Sequence, residues 1–132
     1  MSLSPAGSSA PRSDAAASWI ALDSTDPAQK EYLEHVRRRI REKWKYPCVL
    51  EGRSCEYKST SVEAEFGILK DGRLQYVEIV RKSAVPIYDE YVDATIKFAA
   101  PFPPVPLFMM RPGSTGMPIR ARFVYEGKRN SQ

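Results

Sequence analysis

One histidine, two cysteines and a scatter of carboxylates are the side chains from which this 132-residue sequence could build chemistry. A hydrolase needs a nucleophile, a base and a group that orients the base, and His35 sits in an arginine-rich helical turn without such partners. Paired carboxylates could run a glycosidase, yet Glu63, Glu65, Asp89, Glu90 and Asp93 fall where a sheet face and a helix surface carry solvated charge. Loops that cradle phosphate need glycines clustered ahead of a helix; here Gly72 lies between two apolar runs, and Gly113 and Gly116 precede a third. Six residues intervene between Cys48 and Cys55, which excludes a CxxC redox pair, and two cysteines with one distant histidine make no zinc site. In an oxidising compartment the two cysteines could close a disulfide loop worth roughly 2.5 kcal/mol. Two unrelated free thiols fit the sequence equally well. The chain reads as a non-enzyme that needs no metal and no cofactor.

The remaining candidates are surfaces. Arg37, Arg38, Arg39, Arg41, Lys43 and Lys45 form a basic run, but Glu31, Glu34 and Glu42 interleave with it, and Glu34 stands four residues ahead of Arg38 in the favourable order. Twenty bases against 16 acids give a net charge of only +4 and a pI near 9.1, so no nucleic-acid partner is expected. A basic module touching nucleic acid or anionic lipid through this helix is the alternative function.

Three segments hold these residues. Residues 1–25, rich in Ser, Ala and Pro, read as a disordered or loosely docked arm, with Trp19, Ile20 and Leu22 as the residues able to dock. Met1-Ser2-Leu3 reads as a vector-derived start on an excised piece whose targeting segment lies upstream. Residues 26–127 form the domain, and 128–132 a frayed tail. Within the domain, Asp26-Pro27 opens a helix in which Tyr32, Val36, Ile40 and Trp44 recur every four residues, expected to run to about Tyr46. Val62, Ala64, Phe66 and Ile68 alternate as in a half-buried strand, Lys70-Asp71-Gly72 turns the chain, and a return strand follows to Val80. A second helix spans about 86–99 and ends at the run PFPPVP; a last strand alternates Ile119, Ala121, Phe123 and Tyr125 with Arg120 and Arg122. The expected architecture is α+β: two helices on one face of a three-stranded antiparallel sheet, in chain order helix-strand-strand-helix-strand and spatial order 2-1-3. That order leaves strand three as an open edge able to take an added strand. An ordinary edge guarded by Pro118, Arg120 and Arg122 is the plainer reading of its composition.

From Tyr32 to Tyr125 the order of motifs resembles the C-terminal domain of the energy transducer TonB and its relative TolA. The matching features are the Trp44-Lys45-Tyr46-Pro47 step, the strand VEAEFGI, the turn KDGRL with VEIVRKSA, the helix YDEYVDATIKFA, its PFPPVP terminus and the closing IRARFVY. The resemblance implies a non-enzymatic periplasmic domain in a protein anchored in the inner membrane by a segment outside this sequence, coupling a motor complex there to transport through outer-membrane receptors. It further implies that an extended segment of the receptor or another envelope protein adds beside the last strand, at Ile119, Arg120, Ala121, Arg122, Phe123, Val124 and Tyr125, with Arg120 and Arg122 tuning selectivity. The same edge could pair with a second copy to give a homodimer.

Two outcomes separate these functions. If the helix is the site, retention on heparin weakens steeply with salt and disappears when Arg37, Arg38 and Arg41 are replaced together. If the strand is the site, proline at Ala121 or Phe123 is expected to remove a ladder donor and abolish capture.

Overall fold

The computed structural model describes residues 2–4, 19–52 and 54–127; most of the expected arm, residues 5–18, and the expected tail lie outside the described residues. Helix α1, Pro27–Lys43, starts where its sequence places a cap: the Asp26 carboxylate accepts from the Ala28 N–H at 3.0 Å, and Pro27 occupies a position whose N–H would have no helical partner. It buries Tyr32, Leu33, Val36 and Ile40. The helix stops short of Tyr46 because Trp44 turns extended (φ −74°, ψ 125°). That turn sends the Trp44 indole edge-on against Phe123 and Tyr125, with ring centroids 5.0 and 5.4 Å away, and its N–H donates to the Tyr125 hydroxyl at 2.7 Å.

Strands β1 (Ser2–Ser4) and β2 (Ile20–Ala21) precede α1, and the short β3 (Val49–Glu51) and β4 (Ser54–Glu56) follow it as a separate hairpin. Cys48 and Cys55 are bonded across this hairpin with their Cα atoms 5.4 Å apart. The long hairpin comprises β5 (Thr60–Leu69) and β6 (Leu74–Arg81). Its turn needs Gly72, whose φ of +99° disfavours any side chain and whose absent Cβ would stand 2.0 Å from the Phe102 carbonyl oxygen. Helix α2, Pro86–Ala99, buries Tyr88, Val92, Thr95, Ile96 and Ala99. The proline run that ends it does more than terminate a helix. It folds back over the hairpin turn, where the Phe102 and Val105 N–H groups donate to the carbonyls of Gly72 and Lys70 at 2.8 and 3.1 Å, and the Tyr32 hydroxyl donates to Pro103 O at 2.7 Å. A 3₁₀ turn, Leu107–Met109, leads to β7, Gly116–Tyr125.

The sheet corrects the expected three-stranded antiparallel one. Among the described residues it has five strands and is mixed: the path runs β1-β7-β5-β6, and β2 also pairs with β7, in parallel, at Ile119 and Arg120. The difference lies in two short segments of the arm, which carry too few residues to show a two-residue period and pair only because β7 presents an edge to them. β6 has two irregularities: between the pairs Glu63–Arg81 and Ala64–Ile79 it has Val80 as an extra residue, and between Gly67–Tyr76 and Ile68–Leu74 it has Gln75. The core forms where even residues of β5 and odd residues of β7 meet the helices: Val62, Ala64, Phe66 and Ile68 with Met117, Ile119, Ala121, Phe123 and Tyr125.

Gly72→Ala is expected to cost about 2 kcal/mol or more, from backbone strain and the Phe102 carbonyl together, read as a fall in the urea midpoint. Burial pushes the hydroxyls of Tyr46 and Tyr125 up to about 12 and also raises those of Tyr32 and Tyr76. In the unfolded chain these phenols ionise near pH 10, so the folded state keeps protons that the unfolded state loses. Their contribution is therefore complete below about pH 10 and lost as pH rises towards about 12, giving a urea midpoint that is flat in mild alkali and falls beyond it.

Candidate functional site

Along an extended strand the side chain alternates up and down while the main-chain N–H and C=O alternate left and right, with the same two-residue period. In β7 the odd residues from Met117 to Tyr125 are buried in the core and the even ones face the other side of the sheet. The main-chain directions follow. Arg120 C=O accepts from the Leu22 N–H at 2.9 Å, on the side away from β5, so the main-chain groups of Arg122 and Val124 also point to that outer edge. Pro118 obeys the same parity: it pairs with Gly67 across the ladder, and its missing N–H falls on the outer side, where the β5 ladder does not need it.

The seven residues expected to bind a partner therefore divide. Ile119, Ala121, Phe123 and Tyr125 are core residues whose main chain serves β5. Proline at Ala121 or Phe123 would consequently break the internal ladder instead of the outer edge, which corrects the expectation stated for those two variants. Arg120 is not free to tune selectivity. Its guanidinium Nε donates to Glu65 Oε1 at 2.8 Å and lies 5.0 Å from the centroid of the Trp19 ring. Glu65 in turn accepts from the Tyr76 hydroxyl, and the Tyr76 ring covers Gly67, where a Cβ would meet it at 2.4 Å. One polar row thus crosses the solvent-side face from β6 to the Trp19 segment. Arg122 and Val124 remain half-buried with their main chain outward.

The outer edge is already in use. β2 covers its first half: Ile20 pairs with Ile119 and Ala21 with Arg120, Leu22 is 1% exposed, and Arg37 donates to the Leu22 carbonyl at 2.7 Å. β1 covers the second half, antiparallel, with Ser2 opposite Val124, Leu3 opposite Phe123 and Ser4 opposite Arg122. The sequence marks Trp19, Ile20 and Leu22 as able to dock; no signal in it marks the pairing of Ser2, Leu3 and Ser4.

The basic helix is tied into the fold. Arg37 bonds Glu34 at 2.6 Å as well as Leu22, Arg41 reaches Glu34 at 3.2 Å, and Arg39 donates to the Ala99 carbonyl at 2.7 Å. The hydrogen bond from Arg37, above all, holds the Glu34 carboxyl below its usual range. Beside β2 lies an open hollow of about 590 Å³ bordered by Trp19, Asp23, Thr25 and Gln29; among the described residues Asp23 is its only ionisable lining residue, and they place no acid–base pair there. Among the described residues no helix is long and apolar enough to cross a membrane.

No curated protein and no solved structure matches the chain significantly. A family model does, that of the TonB C terminal, over residues 29–123, from early in α1 to the penultimate core residue of β7. The matched stretch contains all but the first two residues of α1, the whole of α2, the long hairpin and most of the outer edge, and the arm lies before it. On that match the chain belongs to the TonB C-terminal family, whose domains are periplasmic, non-enzymatic interaction modules for envelope proteins such as outer-membrane receptors.

Proposed function

We propose that this domain captures an extended segment of an outer-membrane receptor, or of another cell-envelope protein, as an added strand on the β7 edge at Arg122 and Val124. The observation that carries the reading is that this edge accepts a strand within the fold itself, in the pairing of β1 with β7. Two residues with both main-chain groups outward offer up to about four hydrogen bonds, each worth ~0.5–1.5 kcal/mol net. Such an interface is moderate in strength and reversible, which suits a transducer that must engage and release a receptor in each cycle. Selectivity falls to the Arg122 side chain on the solvent-side face. The opposite edge is a weaker rival, because the two irregularities in β6 twist it and interrupt its row of donors and acceptors. An inner-membrane anchor and the contacts to the motor complex belong, in this reading, to segments upstream of the domain.

Val124→Pro tests it. This change removes an outward N–H while leaving the β5 ladder its donors, and the residue before proline stays in the extended geometry that β7 already has. Titrated with a synthetic peptide from the periplasm-facing end of an outer-membrane receptor, the variant is expected to bind about tenfold more weakly or worse, with a wild-type urea midpoint. Undiminished binding by the folded variant would rule out strand addition at this edge.

A further inference from the structure

We propose that the polypeptide leading into the domain is a built-in competitor for its own binding edge, so that a partner segment must displace it to be captured. This rests on the strand-addition reading above. The outer edge of β7 is short. Pro118 has no donor to offer, and Arg120 is bonded to Leu22 in a segment that Arg37 and the Trp19–Arg120 contact hold in place. What is left for any added strand is Arg122 and Val124, and those are the residues that Ser4 and Ser2 face in β1. Opposite residues whose main chains point at one another exchange both hydrogen bonds, so β1 satisfies the same groups that a partner strand would use.

The two contacts of the arm differ in strength, and that difference makes it a device and not a permanent cover. β2 is fixed by the buried side chain of Leu22, which follows it, and by the hydrogen bond from Arg37 of α1 to the Leu22 carbonyl. β1 has three residues and pairs through main-chain groups. β2 thus acts as a fixed tether that keeps the preceding chain near the edge at an effective concentration on the order of millimolar. A short strand held this way hides the edge from other chains, including a second copy of this one, and yields to a longer segment. Because main-chain groups make the pairing, it belongs to the position of the arm relative to β2 and not to the identities of residues 2–4.

The test uses the whole chain with Ser2→Pro and Ser4→Pro together, which remove the two N–H groups that face β7, and with Ser2→Ala and Ser4→Ala as the control. Amide hydrogen exchange is read first, with no partner present. Arg122 and Val124 are expected to be protected in the wild type and the alanine control, and to exchange about tenfold faster or more in the proline pair. The same receptor peptide is then titrated. Freed of its competitor, the proline pair is expected to bind about fivefold tighter or more than the wild type. Equal exchange of Arg122 and Val124 in the wild type and the proline pair overturns the proposal and leaves the binding reading standing. Faster exchange with unchanged peptide affinity also overturns it, since the arm would then cover the edge without competing. Faster exchange with a peptide that perturbs neither residue in either protein overturns the binding reading, and competition for the edge goes with it.

Discussion

The parity of β7 governs the rest of the molecule. Once Ile119, Ala121, Phe123 and Tyr125 are in the core, the two-residue period leaves no choice about the main chain: those residues serve β5, and Arg120, Arg122 and Val124 serve the outer edge. A one-residue slip would expose the core side chains and exchange the two sets of main-chain groups together. The outer edge of β7 is therefore specified by hydrophobic burial, although it is made of main-chain groups and not of apolar side chains.

Much of the fold can be understood as holding that parity. Trp44 leaves α1 early to wedge against Phe123 and Tyr125, and its hydrogen bond to the Tyr125 hydroxyl satisfies a polar group that burial would otherwise penalise. Tyr46 and Tyr88 pack on the same ring of Tyr125, tying the segment after α1 and the first turn of α2 to the end of β7. On the solvent-side face, the row from Tyr76 through Glu65 and Arg120 to Trp19 ties β6, β5 and β7 to the residue that leads into β2. At the far end the proline run clamps the hairpin turn with main-chain bonds, so the sheet is secured at both ends of its long strands.

The two sides of β7 are unequal. The β5–β7 ladder is continuous over ten residue pairs and carries the core on one face, whereas the outer edge of β7 is met by two short pieces of chain. The proposed mode of binding uses that asymmetry: the acceptor strand is held firmly, and the short occupant of its edge is the part that leaves. Membership of the TonB C-terminal family gives the asymmetry a setting, in the periplasm between the two membranes.

Several features were determined by the sequence alone because each depends on neighbours along the chain. Asp26-Pro27 supplies the cap and first residue of a helix, the alternation of Val62, Ala64, Phe66 and Ile68 suits a half-buried strand, and Gly72 supplies the positive φ that the hairpin turn requires. The last strand and its alternation were equally legible, and with them the residues from which an edge could be built. The tertiary structure alone decided how many strands share the sheet, because β1 and β2 are too short to carry a period and form only against a neighbour that lies far away in sequence. It also decided that Arg120 is committed to Glu65 and Trp19, that the proline run clamps a turn, and that Cys48 meets Cys55. Local pattern fixes which face of a strand is apolar; only the pairing of distant segments fixes what lies along its edges, and here it sets the main chain of the odd residues of β7 against β5 and that of Arg120, Arg122 and Val124 against β2 and β1.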